Sequence, residues 1–408
     1  MRSLLYRQLP KLFVSGVLSL ASSATTMSVY PEAKPNTVRI FLSGDVMLGR
    51  GVDQIMRYQV DPILYEDYVK DARGYVKLAV QQNGPLPSER GADYVWGEGI
   101  DVLEGMRPDV RVINLETAVT AGGKPWPHKG INYRMHPGNV EAIKSAKIDC
   151  CVLSNNHVLD WDYEGLKDTL NSLKSQGIQV VGAGLNASEA HAPAVFPLPE
   201  STSRLLVFGL GSPTSGVPSS WQASSSRAGV FFVESFSSKQ AKEVMKVVSG
   251  FRKPGDLVLI SIHWGSNWGW ELNQGAVDFA KQLIDQGVAL VHGHSSHHIR
   301  PLVLHKNRLI ATGCGDLISD YEGISGNPAH DRFRDDLSLM YFADLDKSSG
   351  QLVDLYLVPM RLKQISLNRA KGSDEKWLFE NMKEQCARLG VQIERARQDG
   401  IFKVVLKK

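Results

Sequence analysis

Residues 257–262 read Leu-Val-Leu-Ile-Ser-Ile and stop at His263-Trp264-Gly265. A strand wetted on one face alternates apolar with polar residues; a short run this continuous is a strand covered on both faces. Similar runs occur at 38–42, 110–115, 148–153, 179–181, 205–209 and 309–312. Between several of them lie stretches with helical spacing, at 139–146, 161–176, 239–250 and 276–286. The stretch 161–176 halts at Gly177, as a helix C-terminus should. Strands and helices that alternate in this way predict an α/β fold with buried strands. Runs at 339–345 and 352–359 read as a closing strand pair, followed by a charged helix at 374–389 and a last strand at 402–406.

The residues at the end of each run matter more for function. In α/β folds, ligand groups collect beyond the carboxyl ends of strands. Here the runs end in Asp45, Glu116, Asn156 with His157, His263, and His292 with His294. Four of the chain's 11 histidines (His292, His294, His297, His298) fall within seven residues of Val-His-Gly-His-Ser-Ser-His-His-Ile-Arg-Pro-Leu, 291–302. Neutral imidazole is the commonest ligand for first-row divalent ions, so this turn is expected to edge a metal site; a His-rich surface turn is the plainer alternative.

Each residue also has a structural reading. Asp45 is expected as a ligand, or else as the N-cap of the next helix. Asn114 and Glu116, two apart on a strand, share a face, and Glu116 is either a ligand or half of an ion pair. Asn156 offers an amide oxygen and His157 a general acid. His263 is costly to bury unless hydrogen-bonded or metal-bound. Asp160 and Asp162 are expected to cap the following helix, with service to the site from that turn as the alternative. Histidines mixed with carboxylate and amide oxygens suit Mn, Fe or Zn better than Ca, and one or two such divalent ions are expected.

The bulk properties of the 408 residues are those of an ordinary globular protein, with 43% hydrophobic and 22% charged residues. A net charge of +3, without a long basic run, gives no footing for a nucleic-acid partner. Cys150, Cys151, Cys314 and Cys386 show no C-x-x-C spacing and are expected as free buried thiols. Residues 1–31 hold Arg2, Arg7 and Lys11 but no acid, then an apolar stretch and Ser22-Ser23-Ala24. This fits a secretory signal, with an organellar transit peptide and a disordered leader as alternatives; export is favoured, and organellar or cytoplasmic placement stays open. No other stretch reaches the length of about 20 apolar residues needed to span a bilayer.

Six short motifs, in order, resemble the CapA family of capsule or poly-γ-glutamate synthesis proteins, related to calcineurin-like metallophosphatases. They are Gly44-Asp45-Val46-Met47-Leu48-Gly49-Arg50, Asn114-Leu115-Glu116-Thr117, Ser154-Asn155-Asn156-His157 with Asp160 and Gly165, His263-Trp264-Gly265, Gly293-His294-Ser295-Ser296-His297, and Thr312-Gly313-Cys314-Gly315-Asp316. The resemblance implies a four-layer α/β/β/α sandwich over residues 37–360, with 361–408 as a helix and strand packed on it. It implies Asp45, Glu116, Asn156, His263, His294 and His297 as metal-site residues, His157 beside the reacting group, and Arg50 binding an anion. The implied partner is an anionic small molecule or polyglutamate, within a polymer-synthesis complex. The implied protein is a metal-dependent enzyme or, alternatively, a non-catalytic polyanion-binding assembly subunit. The chain departs from the metallophosphatase pattern at Met47, where those enzymes carry a His, and at Ser295-Ser296, where the family commonly has His-Pro.

Overall fold

The strand Thr37–Val46 is buried along its whole length and sits near the middle of a ten-stranded sheet. The computed structural model describes residues 30–271, 273–324, 328–398 and 400–406. On one side the strand runs parallel to Val110–Leu115, then Cys150–Val152 and Gln179–Val181. On the other it is antiparallel to Leu337–Asp346, which pairs with Leu352–Leu362; Phe402–Val405 and Gln392–Arg395 extend the same sheet. A second sheet of six strands has four parallel ones at its centre, Arg204–Gly211, Leu257–His263, Leu290–His294 and Arg308–Ala311. Antiparallel strands Ala194–Pro197 and Leu302–His305 close its two edges.

Strand alternation sorts the core into layers. Val38, Ile40 and Leu42 meet Leu205, Val207, Leu257, Leu259 and Leu309 between the two sheets. Phe41 and Ile113 point the other way, onto helices Gly99–Met106, Val140–Ser145 and Asp162–Ser175. The far face of the second sheet, with Phe208, Ile260 and Val291, packs on helices Ser238–Ser249 and Gln274–Asp285. The result is the expected α/β/β/α sandwich. Removing one interlayer leucine, for example by Leu259→Ala, costs about 2–5 kcal/mol.

Helix Ser373–Ala387 adds Leu378, Phe379, Met382 and Cys386 to the interlayer core, beside Ile393 and Phe402. All four cysteines are free and buried. Cys150 joins the interlayer core and Cys151 the helix-side core, as neighbours on a strand must. The expected leader lies outside the described residues, apart from Tyr30 and Pro31. Among the described residues no helix is long and apolar enough to cross a membrane.

Candidate metal centre

The carboxyl ends of strands from both sheets converge, and Asp45 stands where they meet. Its backbone N–H donates to the Gly315 carbonyl at 2.8 Å, and Asp45 is in register with Asp316 on the short parallel strand Asp316–Ile318. Only glycine fits at position 44, because a Cβ there would lie 1.6 Å from the Gly315 oxygen. Asn114, in register with Asp45 on the next strand, donates from Nδ2 to Asp45 Oδ1 at 2.7 Å. Asn155 Nδ2 donates in turn to Asn114 Oδ1 (3.1 Å) and to the Leu115 carbonyl (2.8 Å). These amides fix the Asp45 carboxylate from behind, as outer partners of a ligand do.

The second sheet supplies imidazoles. His263 and His294 end adjacent parallel strands in register, with Nδ1 atoms 2.8 Å apart. His263 Nε2 lies 2.9 Å from Asn156 Oδ1 and 3.9 Å from Glu116 Oε1; His294 Nδ1 lies 3.8 Å from Asp45 Oδ1. Ligand-type atoms of Asp45, His263 and His294 lie within 4.8 Å of one another, and so do those of Asp45, Glu116 and Asp316. Asp45 belongs to both groups, so the arrangement offers two neighbouring positions that share one carboxylate.

The four clustered histidines divide by role. His294 and His297 face this region, and His297 Nδ1 is 3.0 Å from Asp316 Oδ2. His292 instead bridges the layers, with Nε2 2.7 Å from the Ser43 carbonyl and Nδ1 3.0 Å from Ser261 Oγ. His298 lies between Phe333, stacked at 4.4 Å, and Trp270, edge-on at 4.7 Å.

Charge is out of balance here. Burial, then the neighbouring Asp316 charge, push the Asp45 carboxyl up to about 7. Burial and Asp45 hold Glu116 well above the ordinary carboxylate range, and burial raises Asp316 against the pull of His297. Burial keeps His263 and His294 neutral far below their usual range, and other histidines nearby add to this. Burial alone would lower His297, but the Asp316 carboxylate reverses this and raises it. Carboxylates reluctant to ionise beside imidazoles with free lone pairs form a donor set that a divalent cation satisfies. By that chemistry the residues present fit a divalent metal ion.

His157 sits at the rim. Its Nδ1 is 2.6 Å from Asp160 Oδ2, its Nε2 is 3.7 Å from Glu116 Oε1, and Tyr133 stacks on the ring at 4.0 Å. Burial, helped by Lys129, lowers its pKa to about 4. His157 Nδ1 faces both the Asp160 carboxylate and the Lys129 ammonium, the latter at 3.1 Å; when Nδ1–H is donated to Asp160, a neutral ring turns an unprotonated Nε2 toward Glu116. Asp160 is not a helix cap. It accepts the Tyr133 N–H at 2.7 Å and forms an ion pair with the Lys129 ammonium at 2.6 Å, organising the loop at 122–134 around His157.

Arg50 differs more sharply from expectation. It is 3% exposed, donates to both oxygens of Asp320 and to Glu66 Oε1 (2.8 Å), and lies 3.6 Å over the Tyr75 ring. Its carboxylates are internal, so it is not available to an anion from outside. The sequence alone assigns no site role to Asp316 or Lys129. Asp316 has a cue in the glycine turn before it, where Gly315 has φ +78°.

The match with known proteins covers this whole region. Residues 39–321 match the model of the family described as bacterial capsule synthesis protein PGA_cap. A "probable polyglutamine synthesis accessory protein" of Mycobacterium tuberculosis is 42% identical over 372 residues, 91% of this chain and 97% of that one. The PGA biosynthesis protein CapA of Bacillus subtilis is 23% identical over 279 residues, 68% of this chain and 62% of that one. A crystal structure of a phosphatase from Mycoplasma pneumoniae aligns with 80% of this chain and 94% of its own, at TM-score 0.43 and 12% identity. The fold and its clustered ligand groups define an α/β sandwich protein with a candidate cation centre. The chain belongs to the bacterial capsule synthesis protein family.

Proposed function

We propose that this protein is a metal-dependent enzyme of poly-γ-glutamate synthesis or processing, acting on a phosphorylated or γ-glutamyl substrate. The observation that carries the reading is the buried meeting of Asp45, Glu116 and Asp316 with His263 and His294. Asp45, Glu116, Asn156, His263 and His294 would hold one or two divalent ions, with Asp316 and His297 beside them. A divalent ion there supplies positive charge against an oxyanion developing on a phosphoryl or carbonyl group. His157 would take at Nε2 the proton of the water that attacks the phosphoryl or carbonyl centre and return it to the leaving group as the scissile bond breaks, while Asp160 keeps its Nδ1 protonated and its ring oriented. The relatives' names support a role within a polymer-synthesis assembly.

One observation favours the non-catalytic alternative, a subunit that binds polyanion without turnover. Met47, where metallophosphatases carry a ligand histidine, is packed in the helix-side core and offers no nitrogen. The test is bound metal in the purified protein, together with hydrolysis of a phosphoester and of a γ-glutamyl oligomer before and after chelation. Chelator-sensitive turnover supports the enzyme, whereas oligomer binding without turnover supports the subunit.

A further inference from the structure

Arg50 is committed internally, but a second buried arginine lies just after the His-rich turn. Arg300 stands three residues beyond His297 and is 5% exposed. Its backbone N–H donates to the Gly313 carbonyl at 2.9 Å. Its Nη2 donates to the Ser266 carbonyl at 2.7 Å and to Ser266 Oγ at 3.1 Å. Its Nε has no acceptor. Among the described residues Nη1 has none either, and no carboxylate pairs with the guanidinium.

The other buried arginines differ. Arg39 forks onto Asp344 and Arg50 onto Asp320, while Arg111 lies in the fields of Asp149 and Glu104. Arg300 has no such counter-charge, and burial lowers its pKa to about 10. Burying a charge without a partner is costly, and a fold that does so is poised to take the partner from outside.

Geometry shows where that partner would sit. A Cβ on Gly265 would lie 3.1 Å from Arg300 Nη1, so this edge of the guanidinium borders the Gly265 backbone, two residues beyond His263. Gly265 has φ +81°, which glycine tolerates and other residues rarely adopt, and its bare Cα leaves room beside Nη1. Ser266 and Asn267 beyond it are exposed. The open edge therefore lies on the loop that begins after one candidate ligand, His263, and whose Asn267 carbonyl accepts the His297 N–H at 3.0 Å.

We infer that Arg300, bordered by Gly265 and Ser266, forms an oxyanion-binding subsite at the head of the loop that follows the candidate ligand His263, with Nη1 donating to a phosphate or carboxylate oxygen of the substrate. The inference deepens the proposed function and rests on it for the substrate's identity; anion binding is measurable without turnover. A charge-assisted hydrogen bond from a guanidinium is among the stronger polar contacts, so its loss is readable as affinity.

The experiment is calorimetric titration of the full-length, metal-loaded protein with inorganic phosphate and, separately, with penta-γ-glutamate. Arg300→Gln is expected to weaken binding at least tenfold. Ser266→Asp tests the same point at an exposed position, because it sets a carboxylate beside the guanidinium and supplies the missing counter-ion internally; the same loss is expected. Arg300→Lys should recover part of the affinity. Loss for phosphate alone assigns the subsite to a phosphoryl group, loss for the oligomer alone to a polymer carboxylate, and loss for both to oxyanions generally. Metal content is read on the same samples. Absence of metal from the wild type would count against the cation centre alone. Bound metal with either variant folded and within twofold of wild type for both probes, or wild type that binds neither probe, overturns the subsite.

Discussion

His263 and His294 close adjacent parallel strands in register and bring their Nδ1 atoms to 2.8 Å. Both rings are buried and held neutral, so at most one of the two facing nitrogens carries a proton and at least one lone pair points into the gap. His292, two residues before His294, points instead to Ser43 and Ser261. Replacing His263 or His294 by Ala is expected to lower bound metal at least tenfold by elemental analysis of dialysed protein. His292→Ala should keep the metal and lose about 1–3 kcal/mol of stability through its lost hydrogen bonds. Equal metal content in all three variants would remove the cation centre.

Asp160 acts through His157. Asp160→Asn keeps the size of the side chain but no longer favours the Nδ1–H form of the ring. Turnover of a chelator-sensitive substrate is expected to fall by about 10²–10⁴-fold, with metal content kept. A variant with undiminished turnover would show that the pair only supports the loop.

Arg50 holds the chain together. Arg50→Met would leave Asp320 and Glu66 buried without their cation, at a cost of about 3–5 kcal/mol in urea unfolding. Affinity for an anionic ligand should stay within twofold of wild type while the variant is folded. A stable variant with lost anion affinity would return Arg50 to the role its motif suggested.

Gly44→Ala places a methyl carbon against the Gly315 carbonyl, where backbone meets backbone and neither side yields easily. The expected loss is about 1–3 kcal/mol or more, measured by urea unfolding, with weaker metal binding because Asp45 moves. Wild-type stability in this variant would mean that the two strands stand further apart at this point.

Much of this architecture is legible in the chain because buried parallel strands leave continuous apolar runs, and residues 257–263 show that pattern from end to end. The strand ends then announce Asp45, Glu116, Asn156, His263 and His294 together. Less legible are groups whose importance depends on what they meet. Asp160 reads as a helix cap by position, yet its carboxylate is turned toward a histidine three residues back. Arg50 and Arg300 both sit next to candidate ligands in sequence. Only distant partners separate them: Asp320 and Glu66 for one, Ser266 and an open edge for the other. Short edge strands such as Ala194–Pro197 and Gln392–Arg395 carry too few residues for a period to show.

The pairing of Thr37–Leu42 with Tyr341–Asp346 has a practical consequence. The family match ends at residue 321, before that partner strand begins. A fragment trimmed to the match would retain every proposed ligand, yet leave a row of amides and carbonyls on the Asp45 strand uncovered. Such a raw margin invites zippering between copies, so expression of the minimal segment is expected to yield aggregates rather than a smaller working protein.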